Sequence, residues 1–157
     1  MIFIGIDPGK SGGIVALGED GTVEAFTPMP ETDADVYDFL RSCGQSARAA
    51  LEFVRSSPQM GVTSAFTFGR GYGALRMALY AAGIPYDEVL PRTWQKALGI
   101  VYPSKSPDRV KKGITKARAQ ELFPRFPRMT HALADAFLLA EYARRMMIRT
   151  EVEEHLL

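Results

Sequence analysis

Three acids far apart in the chain sit in apolar company, where a lone charge is expensive. Asp7 ends the run Ile2-Phe3-Ile4-Gly5-Ile6, Glu52 is embedded in Ala49-Ala50-Leu51-Glu52-Phe53-Val54, and Asp135 interrupts Ala132-Leu133-Ala134-Asp135-Ala136-Phe137-Leu138-Leu139-Ala140. Burying an unpaired carboxylate costs several kcal/mol or forces it neutral. Carboxylates gathered together raise one another's pKa unless a cation compensates. A set of oxygen donors suits Mg²⁺ or Mn²⁺, and two such ions can activate a water, orient a phosphodiester and stabilise its leaving oxygen. His131 lies four residues before Asp135, on the same helical face, where it could ligate a second ion or act as a general base. Taken singly, the histidine is better explained as a cap or surface residue, and each acid as the partner of a buried arginine. Their joint placement favours one pocket.

For these acids to meet, the elements carrying them must be neighbours. The expected first strand is about Ile2–Ile6. The Pro8-Gly9 turn leads into a return strand, about Gly12–Leu17, whose glycines leave room for a ligand or phosphate beside the backbone. The Gly18-Glu19-Asp20-Gly21 turn gives a third antiparallel strand, about Thr22–Thr27. Asp33 is the expected cap of a helix to about Gln45. A fourth strand, Ala47–Val54, is parallel to the first and sets Glu52 beside Asp7. After a loop, 55–64, come a helix from about Phe66 to Ala82, a fifth strand at Tyr86–Leu90 and a short helix from Pro91 to about Leu98. Gly99–Gly113 reads as a loop, followed by helices at about Ile114–Phe123 and Thr130–Met147. The expected class is α/β, one domain over residues 1–157, with a mixed five-stranded sheet (three antiparallel strands, then two parallel) flanked by helices. The acidic tail is expected to fray or to contact another subunit.

The chain has 157 residues and a net charge of +1. Its charge is unevenly spread. Arg92, Lys96, Lys105, Arg109, Lys111, Lys112, Lys116, Arg118, Arg125 and Arg128 crowd one stretch, opposed there by Asp108 and Glu121. Such a block suits a polyanion, although a solvated helix face has the same composition. The single Cys43 rules out an internal disulfide and a cysteine-based zinc site. No leader or membrane-spanning run is read in the sequence, and a cytoplasmic location, bacterial or in a phage-infected host, is expected.

The motifs resemble those of a known family. Ile4-Gly5-Ile6-Asp7-Pro8-Gly9 with Gly12-Gly13 is similar to the first motif of the RuvC-like Holliday junction resolvases. Leu51-Glu52-Phe53-Val54 resembles their second, and His131-Ala132-Leu133-Ala134-Asp135-Ala136 their last. The stretch from Gly61 to Gly73 and the segment Pro91-Arg92-Thr93-Trp94-Gln95-Lys96 resemble the phage-encoded branch. The resemblance spans nearly the whole chain, in order. It implies a ribonuclease-H-like fold, a homodimer, and Mg²⁺-dependent paired nicking of four-way DNA junctions. Asp7, Glu52, Asp135 and His131 would be the catalytic and metal-holding residues, with Mg²⁺ or Mn²⁺ as two ions per site. Phe66, Phe68, Arg70 and Tyr72 would read unpaired bases at the crossover, and Lys105, Lys111, Lys112, Lys116 and Arg118 would contact phosphates. Trp94 is read as a core residue, and Gly69-Arg70-Gly71-Tyr72-Gly73 as tight packing of a helix on the sheet.

One departure opens a second reading. This branch often carries an acid immediately before the last-motif histidine, where this chain has Thr130, a good helix cap. A branched-DNA-binding protein with impaired catalysis therefore stands beside the nuclease. A ribonuclease acting on hybrids is a further alternative, since fold alone does not choose a substrate. The first motif is also shared in outline with actin-related nucleotide-binding proteins, but no second phosphate loop is apparent.

Overall fold

Alternation of side chains along each strand decides which residues meet which layer. The computed structural model describes the backbone of residues 1–155 and the side chains of residues 1–146. Its strands are β1 (Ile2–Asp7), β2 (Gly13–Leu17), β3 (Val23–Pro28), β4 (Ala47–Glu52) and β5 (Tyr86–Val89). They form one sheet in the order β3-β2-β1-β4-β5. The pairs β1–β2 and β2–β3 are antiparallel, whereas β1–β4 and β4–β5 are parallel. This is the mixed five-stranded sheet expected from the sequence. The helices are α1 (Asp33–Ser42), α2 (Val62–Ala81), α3 (Pro91–Ala97), α4 (Asp108–Leu122) and α5 (His131–His155).

The sheet has two cores. Ile4, Ile6, Ile14, Ala16, Ala49 and Leu51 face one way, onto α1 and α2. Phe3, Val15, Leu17, Ala50 and Val89 face the other way, onto α3, α4 and α5. A period of two puts Asp7 on the face of Phe3, and Glu52 on the face of Ala50. Both acids are thereby directed to the layer that contains α5. Within that helix buried Glu141 pairs with Arg144 and Arg145, and Arg144 ties the helix to the sheet by donating to the Glu19 carbonyl at 3.0 Å in the β2–β3 turn.

Several boundaries differ from the sequence reading, each for a local reason. Thr32, one residue before Asp33, caps α1: its Oγ1 accepts from the Asp35 amide at 3.1 Å and donates to the Asp35 carboxylate at 2.6 Å. The helix ends earlier than expected, with Gly44 in the left-handed region at φ 85°. α4 begins at Asp108, within the stretch read as a loop. Pro107 supplies the extended turn before it, and the Val110 amide closes onto the Pro107 carbonyl at 2.9 Å. Gly113, expected as the last residue of that loop, is instead carried inside the helix at a cost of about 1 kcal/mol. α2 starts at Val62, inside the other expected loop. Its Gly69, Gly71 and Gly73 have nothing within 4 Å of where a Cβ would stand, so they do not serve tight packing on the sheet. α5 continues to His155, beyond the expected end at Met147. The expected contacts of the acidic tail lie outside the described side chains.

Candidate active site

The site is assembled by two adjacent strand ends and one helix pressed against them. Ile6 pairs with Leu51 across the parallel β1–β4 ladder, so the next residues, Asp7 and Glu52, are neighbours. Helix α5 crosses β1, β2 and β4. It can do so closely because β1 has glycine at position 5. A Cβ there would stand 2.1 Å from the Ala136 carbonyl oxygen and 2.2 Å from the Ala140 amide nitrogen. Backbone meets backbone at Gly5, two residues before Asp7 and beside the helical turn that carries Asp135. This contact was not read from the sequence, where Gly5 was simply part of a motif.

The return-strand glycines serve the same close fit. A Cβ on Gly12 would lie 2.0 Å from the Asp7 carbonyl oxygen and 3.1 Å from its carboxyl carbon. The space expected for a ligand is thus filled by the chain itself, and Gly12 is needed for Asp7 to sit where it does.

Burial raises all three acids, and repulsion from neighbouring acids adds to it at Asp7 and Glu52. Asp7 is raised from 3.8 to about 8, first by burial, then by the charges of Asp135 and Glu52, with Lys112 opposing. Glu52 is raised to about 7 by burial and by Asp135, against a hydrogen bond from Trp94. Asp135 is raised to about 6 by burial, with Lys112 and His131 opposing. Tyr102 is also raised, by burial before the fields of Asp135 and Glu52. Its hydroxyl is 2.8 Å from Thr115 Oγ1, which donates to the Lys111 carbonyl at 3.0 Å, tying the loop before α4 to the turn that carries Lys112.

The three acids, Lys112 and His131 therefore share one electrostatic environment. Among the described residues, no three His, Cys, Asp or Glu side chains are drawn together tightly enough to close around an ion. The acids differ in how they are held. Asp7 and Asp135 accept no hydrogen bond and form no ion pair among the described residues, whereas Glu52 Oε2 accepts from the Trp94 indole Nε1 at 2.9 Å. Trp94 was read as a core residue only. It is fully buried, but its N–H also serves Glu52. The available signal was that a buried indole requires an acceptor.

The other candidate residues are spread around this centre. Lys112 is exposed on α4, Lys116 is half-buried, and Lys105 is exposed with a left-handed backbone, φ 57°. Lys111 pairs with Asp108 at 3.7 Å. Arg118 is tied inward, donating to the Leu98 carbonyl at 2.9 Å and pairing with Glu121 at 2.8 Å. On α2, Phe66 is 72% exposed and Arg70 points to solvent, while the Phe68 ring stands 3.5 Å from where a Gly9 Cβ would be. The Tyr72 hydroxyl donates to Glu88 at 3.0 Å. Thr130 caps α5, its Oγ1 accepting from the Leu133 amide at 3.3 Å and its carbonyl from the Ala134 amide at 3.0 Å.

The raised acids give stability a direction with pH. Between the unfolded and folded values the folded chain holds protons that the unfolded chain has released, so stability falls as pH rises. For Asp7 the window is 3.8 to about 8, and Glu52 and Asp135 act in the same direction up to about 7 and about 6. Each group contributes a slope of at most about 1.4 kcal/mol per pH unit. Glu141, lowered by its arginine partners despite its burial, acts oppositely, but only on the acid side of its ordinary 4.5. Urea unfolding in EDTA is expected to show stability declining from about pH 5 to about pH 8. A flat or rising profile would contradict the coupled cluster.

No protein-family model matches the chain, and no curated protein matches it by sequence. Its likeness is structural. It superposes on Thermus thermophilus RuvC in complex with Holliday junction substrate with a TM-score of 0.63 at 21% identity, covering 93% of this chain and 96% of that one. A second Thermus thermophilus RuvC structure gives a TM-score of 0.55 at 19% identity, covering 94% of this chain and 97% of that one. With its sheet order, its two helical layers and these neighbours, the chain has the RuvC-type, ribonuclease-H-like fold.

Proposed function

We propose that this protein is a divalent-metal-dependent endodeoxyribonuclease that resolves four-way DNA junctions by paired, symmetric nicks. The observation that carries the proposal is the convergence of Asp7, Glu52 and Asp135, from β1, β4 and α5, into one coupled acidic centre. It occurs in a fold whose structural neighbour was solved with a Holliday junction. The donor set fits Mg²⁺ or Mn²⁺: oxygen ligands, excess negative charge, and two carboxylates untethered enough to draw inward. His131, four residues before Asp135, is the candidate additional ligand. Bound cations would supply activation of water and stabilisation of the leaving oxygen.

The chain's own residues do the rest. Lys112 offsets the acidic field from the α4 side, which supports its role, or that of Lys111 or Lys116, in neutralising the phosphate being cut. Lys105, Lys111 and Lys116 lie along the same helix and the loop before it, suited to backbone phosphates, a contact that weakens with salt, whereas Arg118 is held by the Leu98 carbonyl and Glu121. Exposed Phe66 and Arg70, one turn apart, form the α2 face offered to bases at the crossover, whereas Phe68 and Tyr72 turn to the other side of the helix, where Tyr72 packs on the core and bonds Glu88. Paired cuts in a two-fold substrate call for a homodimer. The exposed apolar side chains Val62, Met77 and Tyr80 of α2 are consistent with a second copy. Among the described residues no helix is long and apolar enough to cross a membrane. We place the enzyme in the cytoplasm of a bacterium or phage-infected cell, in the phage-encoded branch that the Gly61–Gly73 and Pro91–Lys96 stretches resemble.

A second reading, junction binding without cutting, draws on Thr130, which is engaged as a helix cap where an acid is common in that branch. One experiment separates the two. The purified chain, incubated with end-labelled four-way junction and Mg²⁺ or Mn²⁺, is expected to give symmetric nicks, with two chains per junction in sedimentation. Binding without nicks under every metal condition would favour the second reading, and one chain per junction would remove the dimer.

A further inference from the structure

We infer that Trp94 is a positioning residue for the metal-holding carboxylate of Glu52, and that its indole N–H senses the occupancy of the site. The inference rests on the metal-dependent reading above. It starts from the asymmetry of the cluster: among the described residues, Glu52 is the one acid of the three whose side chain accepts a hydrogen bond.

The donor is unusually well fixed. Trp94 is 0% exposed and belongs to the core that includes Ala50, Val89 and Leu98. It lies on α3, which follows β5 after one residue and begins with Pro91, whose ring presets the first helical turn. The one Leu90 carbonyl accepts from the Thr93 amide at 2.9 Å and from the Trp94 amide at 3.5 Å. The indole is thus held by the sheet that holds Glu52, and little entropy remains to be lost when the bond forms.

The chemistry of the bond is one-sided. An indole N–H donates and cannot accept, so it binds a carboxylate oxygen and has no role in moving protons. It takes Oε2 and leaves Oε1 without a hydrogen bond among the described residues. Glu52 is therefore presented with one oxygen committed and one available, a fixed wall toward which untethered Asp7 and Asp135 can be drawn. Carboxylates that ligate metals are themselves hydrogen-bonded, and losing such outer partners typically costs about 10–100-fold in metal affinity or activity. A cation on Oε1 would also withdraw electron density from the carboxylate, weakening Oε2 as an acceptor and changing the indole N–H environment.

Trp94 is the only tryptophan in the chain, so it gives a single indole N–H signal. In the ¹⁵N-labelled full chain titrated with Mg²⁺, that signal is expected to shift with the same midpoint as the backbone amides of Asp7 and Asp135. Trp94→Phe keeps an aromatic ring but removes the donor. It is expected to raise the Mg²⁺ concentration for half-maximal junction cleavage about 10-fold or more, with a much smaller change in KM for the junction. An indole signal that stays still while the amides near Asp7 and Asp135 move would overturn the inference and leave the proposed function standing. If no signal moves at millimolar Mg²⁺ and no junction is cut, both fall. A Trp94→Phe chain that folds and keeps the parent's Mg²⁺ dependence would also overturn the inference.

Discussion

Asp7→Asn is expected to lower junction cleavage by on the order of 10³-fold or more, about 4 kcal/mol of transition-state stabilisation, while leaving junction binding nearly unchanged. Asp7 sits between the other two acids in the electrostatics of the site, and both raise its pKa. The substitution preserves size and removes a charge that no hydrogen bond or ion pair offsets among the described residues. Phosphate contacts from α4 and the surface of α2 do not involve Asp7, so binding should persist. The same change should stabilise the metal-free protein. At pH 8 the parent carries a buried acid near its midpoint beside two ionised neighbours, and asparagine does not. A gain of about 1–3 kcal/mol at pH 8 is expected, shrinking toward pH 4, where Asp7 of the folded parent is protonated and as uncharged as the asparagine. Single-turnover cleavage and urea unfolding at the two pH values check both halves. If the variant cuts at the parental rate, the site is misassigned. If it is no more stable at pH 8, the acids are not coupled as described.

The parts of the molecule legible in its sequence were those that write a period or a charge into it. Strands β1, β2 and β4 announce themselves as apolar runs, and acids inside apolar runs are conspicuous, so Asp7, Glu52 and Asp135 could be picked out before any geometry. Their adjacency followed from a parallel pairing that the order of strands and helices allows. Distances settled by side chains left no such trace. The Trp94–Glu52 bond joins residues 42 positions apart, and a buried tryptophan looks the same in sequence whatever accepts its N–H. The start of α4 was hidden because Pro107 and Gly113 signal breaks, yet proline just before a helix sets its first turn and one glycine is tolerated inside. Glycines misled most. Gly69, Gly71 and Gly73, grouped like a functional loop, face open space, whereas Gly5, unremarked among apolar neighbours, lies against a helix backbone.

Gly5→Ala, a single added methyl, is expected to damage the fold and the site together. The new Cβ would stand 2.1, 2.2 and 2.8 Å from the Ala136 carbonyl oxygen, the Ala140 nitrogen and the Leu139 carbonyl carbon. All three belong to the backbone, so no side chain can rotate to make room, and α5 must retreat from β1 as a body. Leu133, Ala136, Phe137 and Ala140, buried along that helix, lose contact as it does. Overpacking a core typically costs about 1–3 kcal/mol and occasionally more. A backbone clash at three atoms belongs at the upper end, about 3 kcal/mol, which for a chain of this size lowers Tm by about 6–12 °C. Retreat of α5 also carries Asp135 away from Asp7 and Glu52, and a misplacement near 1 Å can cost about 10²-fold in rate. The variant that still folds should therefore cut poorly even well below its Tm, which separates displacement of the site from simple unfolding. Gly69→Ala on α2 is the internal contrast. Its Cβ meets nothing within 4 Å, and replacing an exposed mid-helix glycine should stabilise by about 0.5–1 kcal/mol. If both substitutions prove neutral by thermal unfolding and junction cleavage, α5 does not rest on β1 at Gly5, and the route by which Asp135 reaches the other two acids must be different.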